Sequence, residues 1–284
     1  MFTMFPGAAT TGRGRPGPPY AATVHEALAA AATLVSLAFA LCTGERWLRG
    51  RKRQEAVWTV SLAMFAAGSA ALWLGAAVGW SPWVFKAFYL FGAILNVPYL
   101  ALGTVELLAG PVHGRRWTAI VTVLAAFCTG LMVAAPLTAP IDPDVLPQGK
   151  DVFDLGPRIA AAVASGVAAT VIIVGALWSA WRLLRRRPAA IGTTRRPTIS
   201  PGRLALANVT IALGTLVLSA GGLLNSVVDE MDGFAISLVV GIAIIFGGFL
   251  MTGSPPRLAA VREPRAWYPP TSTDEYAPLT AESA

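Results

Sequence analysis

The chain has little with which to do chemistry. It holds 2 cysteines, 2 histidines and three lysines in 284 residues, and charged residues make up only 13% of it, against about 25% in soluble domains. Cys42 and Cys128 fall in different apolar runs and at different expected depths, so no disulfide is expected. His25 and His113 are placed on opposite sides, so neither a dyad nor a metal-ligand set can be assembled from the histidines and cysteines. No His-Glu-x-x-His motif and no Gly-rich phosphate loop opening a helix is present, which leaves hydrolysis and phosphoryl transfer without their parts. The lysines are Lys52, Lys86 and Lys150. None lies in the last apolar run, where a retinal Schiff base would need one. No catalytic centre, metal or cofactor is expected.

What the chain does have is apolar length. Seven runs carry no charge: residues 27–44, 56–85, 87–105, 117–141, 159–181, 204–228 and 233–256. Each approaches or exceeds the ~20 residues that cross a ~30 Å hydrocarbon core at 1.5 Å per residue. The expected fold class is therefore all-α: a polytopic membrane protein, a seven-transmembrane-helix bundle. Its spans fall at about 24–43, 56–79, 83–107, 117–136, 158–181, 204–227 and 233–253. A flexible outer tail (1–22), the membrane domain (23–253) and a disordered cytoplasmic tail (254–284) complete the division.

The net charge of +7 is unevenly distributed. The segments at 45–55, 110–116 and 182–203 and the tail from 254 hold 5, 2, 7 and 3 Lys or Arg, which is 17 of the 22. The remaining segments hold Arg13, Arg15, Lys86, Lys150 and Arg158, together with eight acids from Glu26 to Asp232. Basic residues beside the spans mark the cytoplasmic side, so the N-terminus is expected outside and the C-terminus inside, in the plasma membrane. The pattern points to topology and away from nucleic acid. The clusters Arg51–Arg53 and Arg185–Arg187 also suit anionic lipid headgroups, at ~1 kcal/mol per charge.

A run beginning after Arg13 and Arg15 has roughly the length of a signal peptide. Leu41 stands where a small residue is needed before Cys42, and a basic loop follows at once, so a retained span is expected. Gly79-Trp80-Ser81-Pro82-Trp83 divides the second run into a hairpin at the outer face. The loop Thr138 to Pro157 carries four acids and four prolines and is expected to be a solvated connector. Trp47, Trp58, Trp117, Trp178 and Trp181 fall near the inner surface and Trp80 and Trp83 near the outer, as an aromatic belt requires.

Polar residues inside a bilayer are costly and therefore informative. In the third span Tyr89, Gly92, Asn96, Tyr99, Gly103 and Glu106 share one helical face. Pro98 removes a backbone donor and frees the carbonyl of Ile94. In the sixth span Asn208, Thr215, Ser219, Gly222 and Ser226 lie on one face, continued by Asp229. The two faces are expected to point into the bundle. Tyr89, Asn96, Tyr99, Glu106, Asn208, Thr215 and Ser219 are the candidate ligand-binding residues, and close helix packing is the structural alternative for the small ones. Glu106 is expected to pair with Arg115 or Arg116, and Lys86 with Glu26 or Asp229.

The segment Phe88-Tyr-Leu-Phe-Gly-Ala-Ile-Leu-Asn-Val-Pro-Tyr-Leu-Ala-Leu-Gly-Thr-Val-Glu106 resembles a block of uncharacterised multi-pass membrane proteins of high-GC, actinobacterial-type bacteria. The resemblance covers about 20 residues and implies the same topology without an activity. Two functions stay open. One is a small-molecule or ion permease or receptor-like module with a polar site between spans three and six. The other is a non-catalytic scaffold of the cell envelope, acting through its basic inner loop and C-terminal tail on a protein partner.

Overall fold

A computed structural model of the chain describes residues 19–185, 201–227 and 231–252. Most of the N-terminal tail, the arginines from Arg186 to Arg196, Asp229 and the tail from 254 lie outside the described residues, as does the side chain of Ser226. Among the described residues there are helices and no strand: α1 (Pro19–Gly50), α2 (Arg53–Val78), α3 (Pro82–Phe88), a π-helical segment (Tyr89–Leu95), α4 (Asn96–Ala134), α5 (Gly149–Val152), α6 (Leu155–Arg185), α7 (Pro201–Val227) and α8 (Met231–Thr252). Among the described residues seven stretches are long and apolar enough to cross a membrane: Glu26–Gly50, Arg53–Val78, Pro82–Gly110, Val112–Ala134, Leu155–Arg185, Gly202–Gly222 and Gly233–Thr252. They are called spans one to seven below. The outward faces carry large apolar side chains: Leu34, Val123, Phe127, Val167 and Leu213 are all more than half exposed, a surface of the kind that lies against a membrane or another protein.

Two glycines make the sharp breaks. Gly79 takes φ 105°, which ends α2, and Ser81 then caps α3 by accepting from the Val84 N–H, with Pro82 at the first helical position. Gly110, at φ 79° and ψ 176°, interrupts α4 and separates span three from span four. Packing runs in a ring from α1 to α2, to the third span, to α6, α7, α8 and back to α1. The ring is filled by Phe39, Leu62, Phe65, Ile242, Ile245 and Phe249. Only 6% of the most apolar part of span four is buried, against 28–39% in the others. That span lies outside the ring, with Cys128 and Met132 packed toward Leu90 and Ile94.

The loop after span four is not the solvated connector expected of it. The Trp80 N–H donates to Pro143 O at 2.9 Å and the Thr138 N–H to Val152 O at 3.0 Å, which folds the loop back over one end of the bundle. Phe153, 2% exposed, stacks on Phe85 at 5.3 Å and meets Tyr89 edge-on at 5.1 Å. Its acids, Asp142, Asp144, Asp151 and Asp154, remain exposed. Alternation of apolar and acidic residues thus makes the loop a lid with a wet outer face.

Candidate functional site

The third span is bent out of regular α-helix. Tyr89–Leu95 form a π-helical segment of 7 residues, and Pro98 stands three positions further on. Wider turns and a missing donor loosen the backbone ladder, and neighbouring helices supply the missing partners. Ser61 of α2 donates to Asn96 O at 2.7 Å, Ser165 of α6 donates to Ala93 O, and the Trp58 indole donates to Leu100 O at 3.2 Å. The carbonyls taken up are thus those of Ala93 and Asn96, on either side of the Ile94 carbonyl singled out by Pro98. Asn96 is 4% exposed, and its Oδ1 has no hydrogen-bond partner.

The polar face of this span is turned to α2. A Cβ on Gly68 would stand 2.8 Å from Gly92 N, so these two backbones touch, and the Trp58 indole fills the space over Gly103. Tyr89 lies under the lid against Phe153 and Gly149. Tyr99 is half-buried.

At the opposite end of the span the Glu106 side chain is only 2% exposed. Its Oε1 accepts from Arg53 at 3.2 Å and from Thr118 Oγ1 at 3.3 Å. Arg115 and Arg116, the expected partners, are exposed and elsewhere. The reason is the break at Gly110, which swings span four so that Gly114 lies directly against the carboxylate and the two arginines point outward.

A second buried acid, absent from the sequence-based candidates, lies at the same end. Glu55, 3% exposed, accepts from Arg46 at 2.8 Å through Oε1, while its Oε2 has no partner. Arg46 also reaches Thr252 Oγ1 at 3.2 Å and lies 4.2 Å above the Phe249 ring. One turn along, Thr59 and Thr43 hydroxyls meet at 3.1 Å between α2 and α1. The signal for Glu55 was available: Glu55, Leu62 and Ser69 stand seven apart and are all buried, so the acid belongs to the packed face of α2. The assignment of 45–55 to a loop by its basic residues leaves that face unread.

In span six the candidates are spent locally. Thr215 donates to Ile211 O and Ser219 to Thr215 O, both at 2.9 Å, the usual use of a hydroxyl within a membrane helix. Asn208 Nδ2 donates to Ser179 Oγ of α6 at 3.0 Å. Spans three and six approach each other through apolar Ile211, which packs against Ala101, Ala168 and Ile172. The two polar faces therefore do not meet. Lys86 also differs from expectation: its Nζ donates to Val133 O at 3.0 Å and Ala135 O at 2.7 Å. It caps the last turn of α4, where free carbonyls favour a cation.

The structure thus brings Asn96 and Glu106 onto one interface with α2 and leaves Asn208, Thr215 and Ser219 on another. No protein-family model, curated protein or solved structure matches the chain.

Proposed function

We propose that the chain is an integral plasma-membrane protein, N-terminus outside and C-terminus inside, that works as a non-catalytic scaffold through the basic inner face of a braced helix bundle. The observation that carries this is the pair of acid–arginine networks at one end. Arg46–Glu55–Thr252 ties spans one, two and seven, and Arg53–Glu106–Thr118 ties spans two, three and four. Removing either arginine strands a buried carboxylate, at about 1–3 kcal/mol because the arginines are themselves partly exposed, so these networks hold five helix ends in one arrangement. Aromatic and aliphatic side chains fill the ring above them. A braced end with exposed arginines beside it suits presentation of a surface. The orientation rests on the 17 basic residues assigned to the inner segments.

A photo-crosslinking residue at position 196 in living cells should give a discrete adduct with an envelope protein, kept in Asn96→Ala and lost when residues 257–284 are deleted. No adduct from positions 196 or 268 overturns the proposal. Orientation is tested with Cys42 and Cys128 replaced by alanine: an impermeant maleimide should label a cysteine at position 13 and spare one at 262, and the reverse pattern sinks it.

The permease or receptor reading keeps one observation in its favour, the unpartnered Asn96 Oδ1 beside the π-helical segment. Its site would face α2 and the third span itself. Ion or solute flux through proteoliposomes, abolished in a folded Asn96→Ala chain, would establish it over the scaffold.

A further inference from the structure

Between the third span and α6 an apolar groove of about 390 Å³ opens on the outside of the ring, with Thr104, Leu108, Val171, Val174, Gly175 and Trp178 among its walls. Its floor is closed where Gly175 meets Thr104: a Cβ on the glycine would stand 2.8 Å from Thr104 Cγ2. The groove opens to the side, where a bilayer would supply acyl chains.

The wall formed by α6 continues past the groove. Residues 171, 174, 175 and 178 follow helical spacing, and the next positions on that face are Trp181, Arg182 and Arg185. Trp178 and Trp181 lie 5.0 Å apart, and the Arg185 guanidinium sits 4.3 Å over the Trp181 ring. Both arginines are exposed. Glu106, the acid closest along the facing wall, is buried and turned onto Arg53, so among the described residues no carboxylate of that wall competes for them. At the same end Gly110 has nothing within 4 Å of a would-be Cβ, which leaves the mouth open.

An apolar slot ending in two guanidinium groups and two indoles matches one amphiphile by charge and shape. We infer that the groove holds a single anionic phospholipid, one acyl chain lying along Val171–Trp178 and its phosphate on Arg182 and Arg185. Guanidinium forks pair with phosphate oxygens in a bidentate way, and the indoles sit at headgroup depth. The inference rests on the membrane placement proposed above and is independent of the scaffold role.

The test uses the full chain in phosphatidylcholine vesicles containing a graded fraction of phosphatidylglycerol or phosphatidylcholine, brominated near the glycerol end of the chain. The Trp178 contribution is the difference between wild type and Trp178→Phe. Brominated phosphatidylglycerol should quench it at a lower mole fraction than brominated phosphatidylcholine, by about fivefold for one arginine engaged and about 25-fold for both. Arg182→Gln with Arg185→Gln should remove the preference, and Ala109→Phe, which fills the groove from its exposed wall, should weaken quenching by both lipids. Equal quenching by the two lipids in wild type, or a preference unchanged in the double arginine variant, overturns the site alone. No quenching by either lipid overturns the membrane placement and the site with it.

Discussion

The carboxylate of Glu106 occupies the space in which a side chain at Gly114 would stand. The two stand eight positions apart, and the break at Gly110 folds them face to face. Arg53 then completes the site from another helix at 3.2 Å.

This contact makes the order of variant stabilities a test. Arg53→Ala leaves a buried carboxylate with only Thr118 beside it. Arg53 is itself half exposed, so water meets part of the loss and the expected cost is about 1–3 kcal/mol. Glu106→Gln in the Arg53→Ala background should recover part of it, because an amide carries no charge to desolvate. Gly114→Ala should also destabilise, by expelling Glu106. Thermal unfolding in detergent, followed by tryptophan fluorescence, reads all three; equal midpoints for Arg53→Ala and the double variant mean the pair is not coupled.

Glycines in the spans divide into two groups with opposite expected signs. Gly68 abuts the Gly92 backbone, and Gly214 and Gly241 face each other across α7 and α8 with a would-be Cβ at 2.6 Å from Ile245 and Leu218. Alanine there forces close helices apart, at about 1–3 kcal/mol. Gly130 and Gly166 have nothing within 4 Å, so alanine should stabilise by up to about 1 kcal/mol. The same unfolding measurement decides it: a loss at Gly130 or Gly166 comparable with that at Gly68 contradicts the packing described.

The lid depends on one ring. Phe153→Ala removes the plug between Phe85 and Tyr89, a loss of about 3–5 kcal/mol for a buried phenylalanine. The loop from 138 to 151 should then be cut much faster by a protease added to proteoliposomes, while helix content stays constant. Unchanged cleavage would show that Trp80–Pro143 and Thr138–Val152 hold the loop without the ring.

The seven helices were legible because length and apolar content act locally and need no knowledge of neighbours. The hairpin at Gly79–Pro82 was legible for the same reason, since glycine and proline impose their own backbone; a connection over 110–116 followed from its charges, and the structure narrows it to the break at Gly110. The shared face of Asn96, Gly103 and Glu106 also followed from helical spacing. What lay opposite that face did not. Glu106 takes Arg53, 53 positions away, over Arg115 and Arg116, nine and ten positions away, and no periodicity along one helix encodes that choice. Glu55 was missed because a charge near a helix end reads as a loop charge until its face is known to be packed. Phe153 was missed because an acidic, proline-rich loop reads as solvated even when its apolar residues turn inward.

By itself the sequence determined how many apolar helices there are, where the chain must turn and which residues share a face. Tertiary structure alone decided the rotation of each helix about its axis and the identity of its neighbour, hence that the third span's polar face meets α2 and the sixth span's does not reach it. Hydropathy acts on depth along a helix, and every lipid-compatible face satisfies it equally. Rotation is decided by contacts that hydropathy does not rank: Gly68 against Gly92, Trp58 over Gly103, and Ser61 and Ser165 reaching carbonyls of the π-helical segment.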